Sequence, residues 1–396
     1  MLSKVYSKNV NNRSVIRECF EYSKQRAAVV GSENVFDFSI GNPNVPPPAI
    51  LSKTVEEITE KFSPVEVHGY PSAEGIPATR KAIAESLNRR FGMSYSEKNI
   101  LMTNGAAAAI SICFRAVTDF GEGDEIITFA PFFPEYTVFV RSSGAKLVVV
   151  PADIDTFQIN FDEFEKLLNP KTKAVLINTP NNPSGAVYNE ATIMRLAEIL
   201  EAKQKEFGHS IYIISDEPYR EIVFGGFSVP YVPKYYKNTL VCYSYSKSLS
   251  IPGERIGYVA FSDDVEDADI MLKVLAGAAR DMSYVGVPTL FQMVIEKCVD
   301  ETADLSVYQK NKDILYKGLV DMGYHCVEPG GTFYAFPRAL EPDAAAFCEK
   351  ARKYDLVLVP GDGFGCPGHV RIAFCTSTDK VQRSLERFEK LIKEYK

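Results

Sequence analysis

Side chains that bind metals or form disulfide frameworks are few in this sequence and poorly spaced for either task. There are four histidines, at dispersed positions, and eight cysteines with no Cys-x-x-Cys pair among them. Zinc sites need closely spaced ligands, and disulfide-rich domains are short and dense in cysteine. We therefore expect no metal site, and we interpret the cysteines as free thiols in a reducing cytoplasm.

Long apolar runs and an excess of basic residues are also missing. No run reaches the roughly 18 apolar residues that are typical of a membrane-spanning helix. The polar first residues, MLSKVYSKNVNNRSVIREC, contain no apolar segment of the kind found in secretion signals. The formal net charge is −7, whereas a general nucleic-acid-binding surface would be basic. We therefore expect neither membrane nor nucleic acid among the partners.

The middle of this 396-residue chain alternates short apolar runs with helix-like stretches. KAVLINTP, for example, is followed by ATIMRLAEILEAKQKEFG, whose final glycine, Gly208, would end the helix. Such alternation predicts an α/β fold with a mostly parallel sheet covered on both faces. After about residue 290, GGTFYAFP, DLVLVP and HVRIAFC are interpreted as strands of a smaller α+β unit, so we expect a small domain made from both chain ends.

Polar residues follow several of the predicted strands directly. In open α/β sheets, ligands bind beyond the carboxyl ends of the strands, so these residues are expected at one edge of the sheet. They are Asn104 and Gly105 after ILMT, Asn181 and Asn182 after AVLINTP, Asp216 after IYIIS, and Ser244 to Lys247 after LVCY.

The stretch CYSYSKSLSIPGER, residues 242–255, places Lys247 among serines and ahead of Arg255. A solvated loop has this composition, and so does a reactive amine held beside a bound phosphate. The junction TNGAAAAIS around Gly105 is compatible with a phosphate, because its small residues leave the first amides of a helix open to an anion. Alanine-rich helix starts are common, so this signal is weak by itself. Arg255 and the Ser244 hydroxyl could donate to the same phosphate.

Asp216 follows an apolar run, so its carboxylate is expected to be poorly solvated and to need a cationic partner. A protonated ring nitrogen would serve, although Asp216 could instead cap a helix at SDEPY. Tyr219 could present its phenol to the same ligand or be an ordinary interface tyrosine. Asn182 in PNNPSG is either a ligand contact or part of a turn. Phe133 in PFFPEY either stacks on a flat ring or packs in the core.

Arg371 lies inside the apolar run HVRIAFC, where an arginine needs an anion: either a structural partner or a substrate carboxylate. The nearby GDGFGCPG, residues 361–368, has glycines close to a dinucleotide-binding fingerprint. That fingerprint requires a helix after it, whereas here a strand-like run follows, so we reject a dinucleotide site.

A phosphate site, a stacking aromatic ring, a carboxylate for a ring nitrogen and a lysine for an aldehyde together point to pyridoxal 5′-phosphate. With NNPSG, SDEPY and SYSKSLSIPGERIGY in this order, the sequence resembles the class I and II aminotransferases of the fold type I pyridoxal-phosphate enzymes. The resemblance extends from SIGNP near residue 40 to VRIAFC near residue 375.

The resemblance implies a role for each matching residue. Lys247 matches the lysine that forms the Schiff base with the cofactor, Asp216 the carboxylate at the ring nitrogen, and Phe133 the stacking aromatic. Asn182 and Tyr219 match the donors to the ring oxygen. The other implied contacts are, for the phosphate, Gly105, Ala106, Ala107, Ser244 and Arg255; for the substrate carboxylate, Arg371 and nearby Gly41; and, from the neighbouring subunit of a homodimer, Tyr70 in HGYPSAEG. Gly41 could also be simply part of a turn.

The resemblance also implies a seven-stranded sheet in the large domain. We expect an N-terminal arm and part of the small domain at 1–48, the large cofactor-binding domain at 49–288, and the small C-terminal domain at 289–396. The implied reaction transfers an amino group between an L-amino acid and a 2-oxo acid, with an aspartate-type enzyme as one form. C–S β-lyase chemistry on the same fold is the alternative, and a non-catalytic ligand-sensing domain is a more distant one.

One position departs from some aspartate-type members of the family. These carry a lysine shortly after the phosphate-loop glycine, where it can bind a distal carboxylate, and this chain has Ala107 there. Arg280 could replace that lysine by reaching across a dimer interface, or it could be an ordinary surface arginine.

Overall fold

A computed structural model describes residues 2–4, 7 and 14–396 of the chain. The polar N-terminal stretch and the first part of the predicted arm therefore lie largely outside the described residues. The strands are β1 Phe36–Asp37, β2 Ile100–Thr103, β3 Glu125–Phe129, β4 Lys146–Val150, β5 Thr172–Asn178, β6 Tyr212–Asp216, β7 Thr239–Ser244, β8 Gly257–Ala260, β9 Tyr334–Ala335, β10 Leu356–Val357, β11 Val359–Pro360 and β12 Val370–Ala373.

Helices connect these strands along the chain. They are α1 Val15–Val30, α2 Ala49–Lys61, α3 Pro64–His68, α4 Pro77–Phe91, α5 Ala106–Val117, α6 Tyr136–Ser142, α7 Phe161–Leu167, α8 Glu190–Phe207, α9 Tyr245–Ser248, α10 Ala268–Asp281, α11 Thr289–Cys298, α12 Ser306–Met322, α13 Ala344–Arg352 and α14 Thr378–Lys393. As the sequence predicted, α8 ends at Gly208, which adopts a left-handed conformation. None of the described helices is long and apolar enough to cross a membrane.

A seven-stranded sheet forms the centre of the molecule, in the order β2-β8-β7-β6-β5-β3-β4. Its strands pair in parallel except at β8, which runs antiparallel to both of its neighbours. Successive side chains on a strand point to opposite faces, so continuous apolar runs can fill the cores on both sides. In β6, Ile213 packs into the core cluster on one side and Ile214 into the cluster on the other. The predicted fold class is confirmed.

A smaller unit joins the two ends of the chain. β1 pairs in parallel with β10, and β11, β12 and β9 form an antiparallel sheet. A separate apolar cluster contains Phe38 together with Phe333 and Phe388. The glycine-rich stretch begins with a one-turn 3-10 helix, Gly361–Phe364, and leads into strand β12 without an α-helix between them. The limits at 48/49 and 288/289 stay a prediction.

Candidate active site

A cavity of about 320 Å³ lies at the carboxyl ends of β2, β5, β6 and β7. This volume is within the usual range for small-molecule sites. The polar residues that follow these strands in the sequence therefore meet in one place. Among the residues predicted from the sequence, those that line the cavity are Gly41, Ala106, Ala107, Phe133, Asn182, Asp216, Tyr219, Ser244, Lys247, Arg255 and Arg371.

Asp216, the last residue of β6, is a buried carboxylate that lacks a cationic partner among the described residues. Tyr136 donates a hydrogen bond to its Oδ2, and Asn178 donates to its backbone carbonyl at 2.8 Å. Its Oδ1 has no hydrogen-bond partner in the described part of the chain. Burial raises the pKa of the Asp216 carboxyl to about 7, against the lowering effect of the Tyr136 hydrogen bond.

Lys247 lies on the short helix α9, and its amine is directed into the same cavity. The Nζ atom donates to the carbonyl of Gly41 at 2.8 Å and lies 5.5 Å from the centre of the Phe333 ring. Burial, with smaller effects from the nearby Arg255 and Arg371, lowers the pKa of this amine to about 8. A substantial fraction of Lys247 is therefore neutral near physiological pH, as a nucleophile or a general base requires.

The N-terminus of α5 and the loop after β7 form one end of the cavity. The first helical hydrogen bond of α5 runs from the Ala109 amide to the Gly105 carbonyl, so the amides of Ala106 and Ala107 precede it. The hydroxyl of Ser244 lies 2.8 Å from that of Ser246. Arg255 donates to the carbonyls of Asn104 and Pro252 at 3.1 and 3.0 Å. Open amides, hydroxyls and a guanidinium suit an anion such as phosphate. We call this part of the cavity, formed by the start of α5, Ser244 and Arg255, the phosphate end.

Arg371 on β12 is a fully buried cation at another wall of the cavity. Its Nη1 donates to Asn182 Oδ1 at 3.1 Å and its Nη2 to the Ser39 carbonyl at 2.5 Å, while Nε has no partner in the described chain. The guanidinium lies 4.7 Å from the Tyr334 ring and 5.0 Å from the Phe364 ring. No carboxylate of the described residues is within salt-bridge distance, so the site is suited to an anionic ligand.

Tyr219 and Tyr334 both line the cavity and contact each other, with their hydroxyl oxygens 3.3 Å apart. Burial, with a smaller effect from Tyr334, raises the pKa of the Tyr219 phenol well above its ordinary value, so this phenol is a hydrogen-bond donor at neutral pH. Tyr334 also explains why residue 41 is a glycine, because a β-carbon there would lie 1.7 Å from the Tyr334 hydroxyl.

Three candidates lie outside the cavity lining. Gly105 does not line the cavity, and its positive φ of 82° is a conformation that residues with a side chain rarely adopt. Tyr70 is 98% exposed and borders a separate depression with Asn104 and residues 285–289. Arg280 is an exposed residue of α10. A single chain thus brings neither Tyr70 nor Arg280 to the site.

Sequence reasoning missed several residues that shape the cavity. Tyr136 and Tyr334 stand in aromatic stretches that read equally well as core, and their hydroxyl partners are 80 and 115 positions away. Tyr136 lies three residues after Phe133, and its ring contacts the Phe133 ring edge-on, so its place in PFFPEY was the available signal. Asn178 was hidden inside an apolar run, although it is the last residue of β5 and pairs with Asp216.

The lining fits pyridoxal 5′-phosphate on the chemistry of its donors and acceptors. The orphaned Oδ1 of Asp216 would accept from a protonated ring nitrogen, and the α5 amides with Arg255 would bind the phosphate. Lys247 offers a partly neutral amine for the aldehyde. These three features lie around one cavity, as the cofactor requires.

Fold and site together define a fold type I enzyme of the pyridoxal-phosphate class. The family model described as aminotransferase class I and II matches residues 33–388. The chain therefore belongs to the class I and II aminotransferase family and is a pyridoxal-phosphate-dependent aminotransferase.

Individual relatives agree on the chemistry but differ in the substrate they are named for. An amino transferase structure from Eubacterium rectale is 53% identical, with a TM-score of 0.97, over 100% of this chain and 99% of that one. An aspartate aminotransferase from Thermotoga maritima is 32% identical over 93% of this chain and 94% of its own. An aromatic-amino-acid aminotransferase from Thermococcus litoralis is 28% identical over 97% of each.

Proposed function

We propose that the cavity binds pyridoxal 5′-phosphate and transfers an amino group between an L-amino acid and a 2-oxo acid. The observation that carries the proposal is the set of charges in one cavity. Among the described residues, Asp216 is a buried carboxyl group without a cationic partner, Arg371 is a buried cation without a carboxylate partner, and Lys247 is an amine whose pKa is lowered to about 8. Cofactor and substrate would supply the missing partners.

Each residue of the chain has a definite task in this proposal. When bound, the cofactor supplies an aldehyde that takes up amino groups and a ring that withdraws electrons from the substrate Cα. Asp216 keeps the ring nitrogen protonated, Phe133 stacks on the ring, and Tyr219 and Asn182 donate to its oxygen.

The remaining tasks concern the phosphate and the substrate. Ser244, Arg255 and the amides after Gly105 bind the phosphate, and Arg371 orients the substrate carboxylate beside Gly41. Lys247 removes the proton from the substrate Cα and carries it, because its amine lines the cavity and its pKa is lowered to about 8.

We also propose a homodimer, in which Tyr70 of one copy reaches the phosphate end of the other site. The depression beside Tyr70 includes Asn104, whose carbonyl accepts from Arg255, so this surface adjoins the phosphate end of the cavity. The eight free cysteines support a cytoplasmic location.

The names of several relatives make aspartate one candidate for the donor. A second carboxylate would need another cation, and Arg280 from a neighbouring copy is the candidate because Ala107 supplies none. None of the described contacts in the cavity is specific to C–S β-lyase chemistry. This reaction is the alternative that the experiment must exclude.

Amino-donor and 2-oxo-acid panels on the purified protein test the proposed reaction. We expect a cofactor absorbance band and turnover that stops when the oxo acid is withheld. Pyruvate and ammonia formed from a cysteine conjugate without any oxo acid would instead indicate a lyase. Lys247→Ala should abolish turnover and leave the fold intact, while Lys53→Ala, at an exposed position, should change neither.

A further inference from the structure

The space between Lys247 and Arg371 is bordered by one backbone segment. The carbonyl of Ser39 accepts from Arg371 at 2.5 Å, and the carbonyl of Gly41 accepts from Lys247 at 2.8 Å. Ile40 lies between these two residues and lines the cavity. If Arg371 holds the carboxylate and Lys247 the Cα proton, as in the proposed function, Ile40 is next to the remaining substituent of Cα, the side chain.

Ile16 contributes a second apolar surface at the same end of the cavity. It is a half-buried residue of α1 that lines the cavity. It packs against the core cluster that contains Phe364, the ring on one face of the Arg371 guanidinium. Ile16 is therefore close to the part of the site that would hold the substrate rather than the phosphate.

The charged side chains that line the cavity all have other tasks. Within the described residues they are Asp216, Lys247, Arg255 and Arg371, which serve the ring, the aldehyde, the phosphate and the substrate carboxylate in the proposed function. Within one chain, a carboxylate on the substrate side chain would therefore meet isoleucine without a cationic partner, which costs free energy. Arg280 of a neighbouring copy is the competing candidate for that partner, and its outcome would be preferred use of aspartate or glutamate. An apolar side chain would instead gain by burial.

We propose that this enzyme selects amino donors with an uncharged, apolar side chain, and that Ile16 and Ile40 form the wall that recognises it. The proposal rests on the proposed function, since it takes Lys247 and Arg371 as the groups that place the substrate. It names a substrate class, aliphatic amino acids such as leucine and methionine, in place of aspartate and glutamate.

The first test compares kcat/KM for leucine, methionine, aspartate and glutamate on the holoenzyme, with one common oxo acid. We expect the better apolar donor to exceed both acidic donors by about tenfold or more, the range that pocket contacts usually supply. Equal or better use of aspartate or glutamate would overturn the proposal. Failure of every amino acid to be transaminated would refute the proposed function instead, so the two failures are distinguishable.

A binding measurement gives a second readout that does not depend on turnover. 4-Methylpentanoate and succinate each have a carboxylate for Arg371, but only succinate has a second charge. Calorimetric titration of the holoenzyme should show about tenfold tighter binding of 4-methylpentanoate. Tighter binding of succinate would overturn the proposal.

Substitutions in α1 test whether Ile16 forms part of the wall that contacts the substrate side chain. Ile16→Arg should lower kcat/KM for leucine and raise that for aspartate, because the new guanidinium can pair with the second carboxylate. Val15→Arg is the matched control: Val15 is exposed on the same helix and does not line the cavity, so the ratio of the two donors should not change.

Ile16→Ala covers the case in which the arginine variant does not fold. Its expected effect is a loss for leucine of about tenfold, with little change for alanine, whose side chain is too short to reach the wall. An unchanged leucine-to-alanine ratio in Ile16→Ala, or an unchanged leucine-to-aspartate ratio in a folded Ile16→Arg variant, would remove Ile16 from the wall.

Discussion

At the scale of single residues, the site contains buried ionisable side chains whose charged forms lack partners until ligands bind. Asp216 illustrates this, because its carboxylate is buried, lacks a cationic partner among the described residues and has one oxygen without a hydrogen bond. Its pKa of about 7 lies above the ordinary value of 3.8. A group with a raised pKa in the folded state stabilises that state at low pH, and this contribution is lost as the pH rises through the folded pKa.

Asp216→Asn should therefore stabilise the cofactor-free protein at high pH. The advantage of the variant over the wild type in the free energy of unfolding should grow by about 2 kcal/mol from pH 5.5 to 8, because the amide does not ionise. Urea unfolding of both proteins at several pH values between these limits measures it. Parallel pH profiles would show that Asp216 is already ionised at pH 5.5 and is better compensated than its burial indicates.

The same substitution should damage the loaded enzyme. Asp216→Asn should retain pyridoxal phosphate but slow removal of the Cα proton by orders of magnitude, because an amide cannot balance a protonated ring nitrogen. Single-turnover kinetics with the natural donor measure this step. Near-normal rates would refute the role of Asp216 at the ring.

The lowered pKa of Lys247 predicts that the rate of cofactor uptake depends on pH. Only the neutral amine can attack an aldehyde, and the Lys247 pKa is about 8. The rate at which cofactor-free protein takes up pyridoxal phosphate should rise about tenfold from pH 7 to its alkaline plateau. Stopped-flow absorbance follows this uptake, with Lys247→Ala as the control that shows no covalent signal. A flat profile between pH 7 and 9 would contradict the lowered pKa.

Residues at strand ends could be predicted from the sequence because each polar residue follows an apolar run. Asp216 and Ser244 were found in this way, and Lys247 comes directly after. The Tyr136 and Tyr334 hydroxyls could not be assigned, because no local pattern tells whether a buried phenol reaches a partner on a distant strand. Periodicity specifies which face a residue occupies, whereas these contacts depend on how separate elements pack.

At the scale of elements, β8 holds the two sides of the phosphate end together. Its first residue, Gly257, pairs with Thr103 on β2 and with Ser244 on β7. A β-carbon at residue 257 would lie 2.3 Å from the Tyr243 carbonyl oxygen and 3.0 Å from the Cα of Gly105. Both neighbours are backbone, so neither can move aside as a flexible side chain would.

Gly257→Ala should therefore loosen this part of the sheet. We expect it to lower the free energy of unfolding by about 1–3 kcal/mol, as overpacking does, and to weaken pyridoxal phosphate binding. Gly277→Ala on α10 is the matched control, since nothing lies within 4 Å of its β-carbon. The control should gain about 0.5–1 kcal/mol. Urea unfolding and cofactor titration would contradict the prediction if both variants behaved alike.

The direction of β8 shows where reasoning from local sequence stops. An apolar run such as IGYVAFS reads the same for either direction, so the sequence predicted a strand but not its antiparallel pairing. A parallel connection usually needs a helix that crosses back over the sheet. The link between β7 and β8 contains only the four-residue α9 and one short turn, and the chain returns antiparallel.

At the scale of the whole molecule, the proposed homodimer makes a complementation experiment possible. Tyr70 is 98% exposed in the single chain, and Val65 and Val285 nearby are also exposed, a surface that a second copy would cover. Lys247→Ala and Tyr70→Ala chains, each inactive alone, should regain activity when mixed under conditions of subunit exchange. In each heterodimer one site carries both lesions and the other neither.

An equal mixture should reach roughly a quarter of the wild-type activity if chains pair at random. Mixing Lys247→Ala chains with Asp216→Asn chains is the matched control, because both lesions lie within a chain's own cavity and every site stays defective. Exchange without recovery in the first mixture would refute sharing through Tyr70, provided that loss of Tyr70 alone is severe.

The contact between Ser39 and Arg371 also sets an order of events on the ribosome. These residues are 332 positions apart, which corresponds to about 20 to 70 s of synthesis at usual elongation rates. By the time Arg371 is made, the parts of the phosphate end between residues 104 and 255 have long emerged. A nascent chain can thus build its phosphate end before it has any clamp for a substrate carboxylate, and β1 stays without its partner strand until β10 has been made.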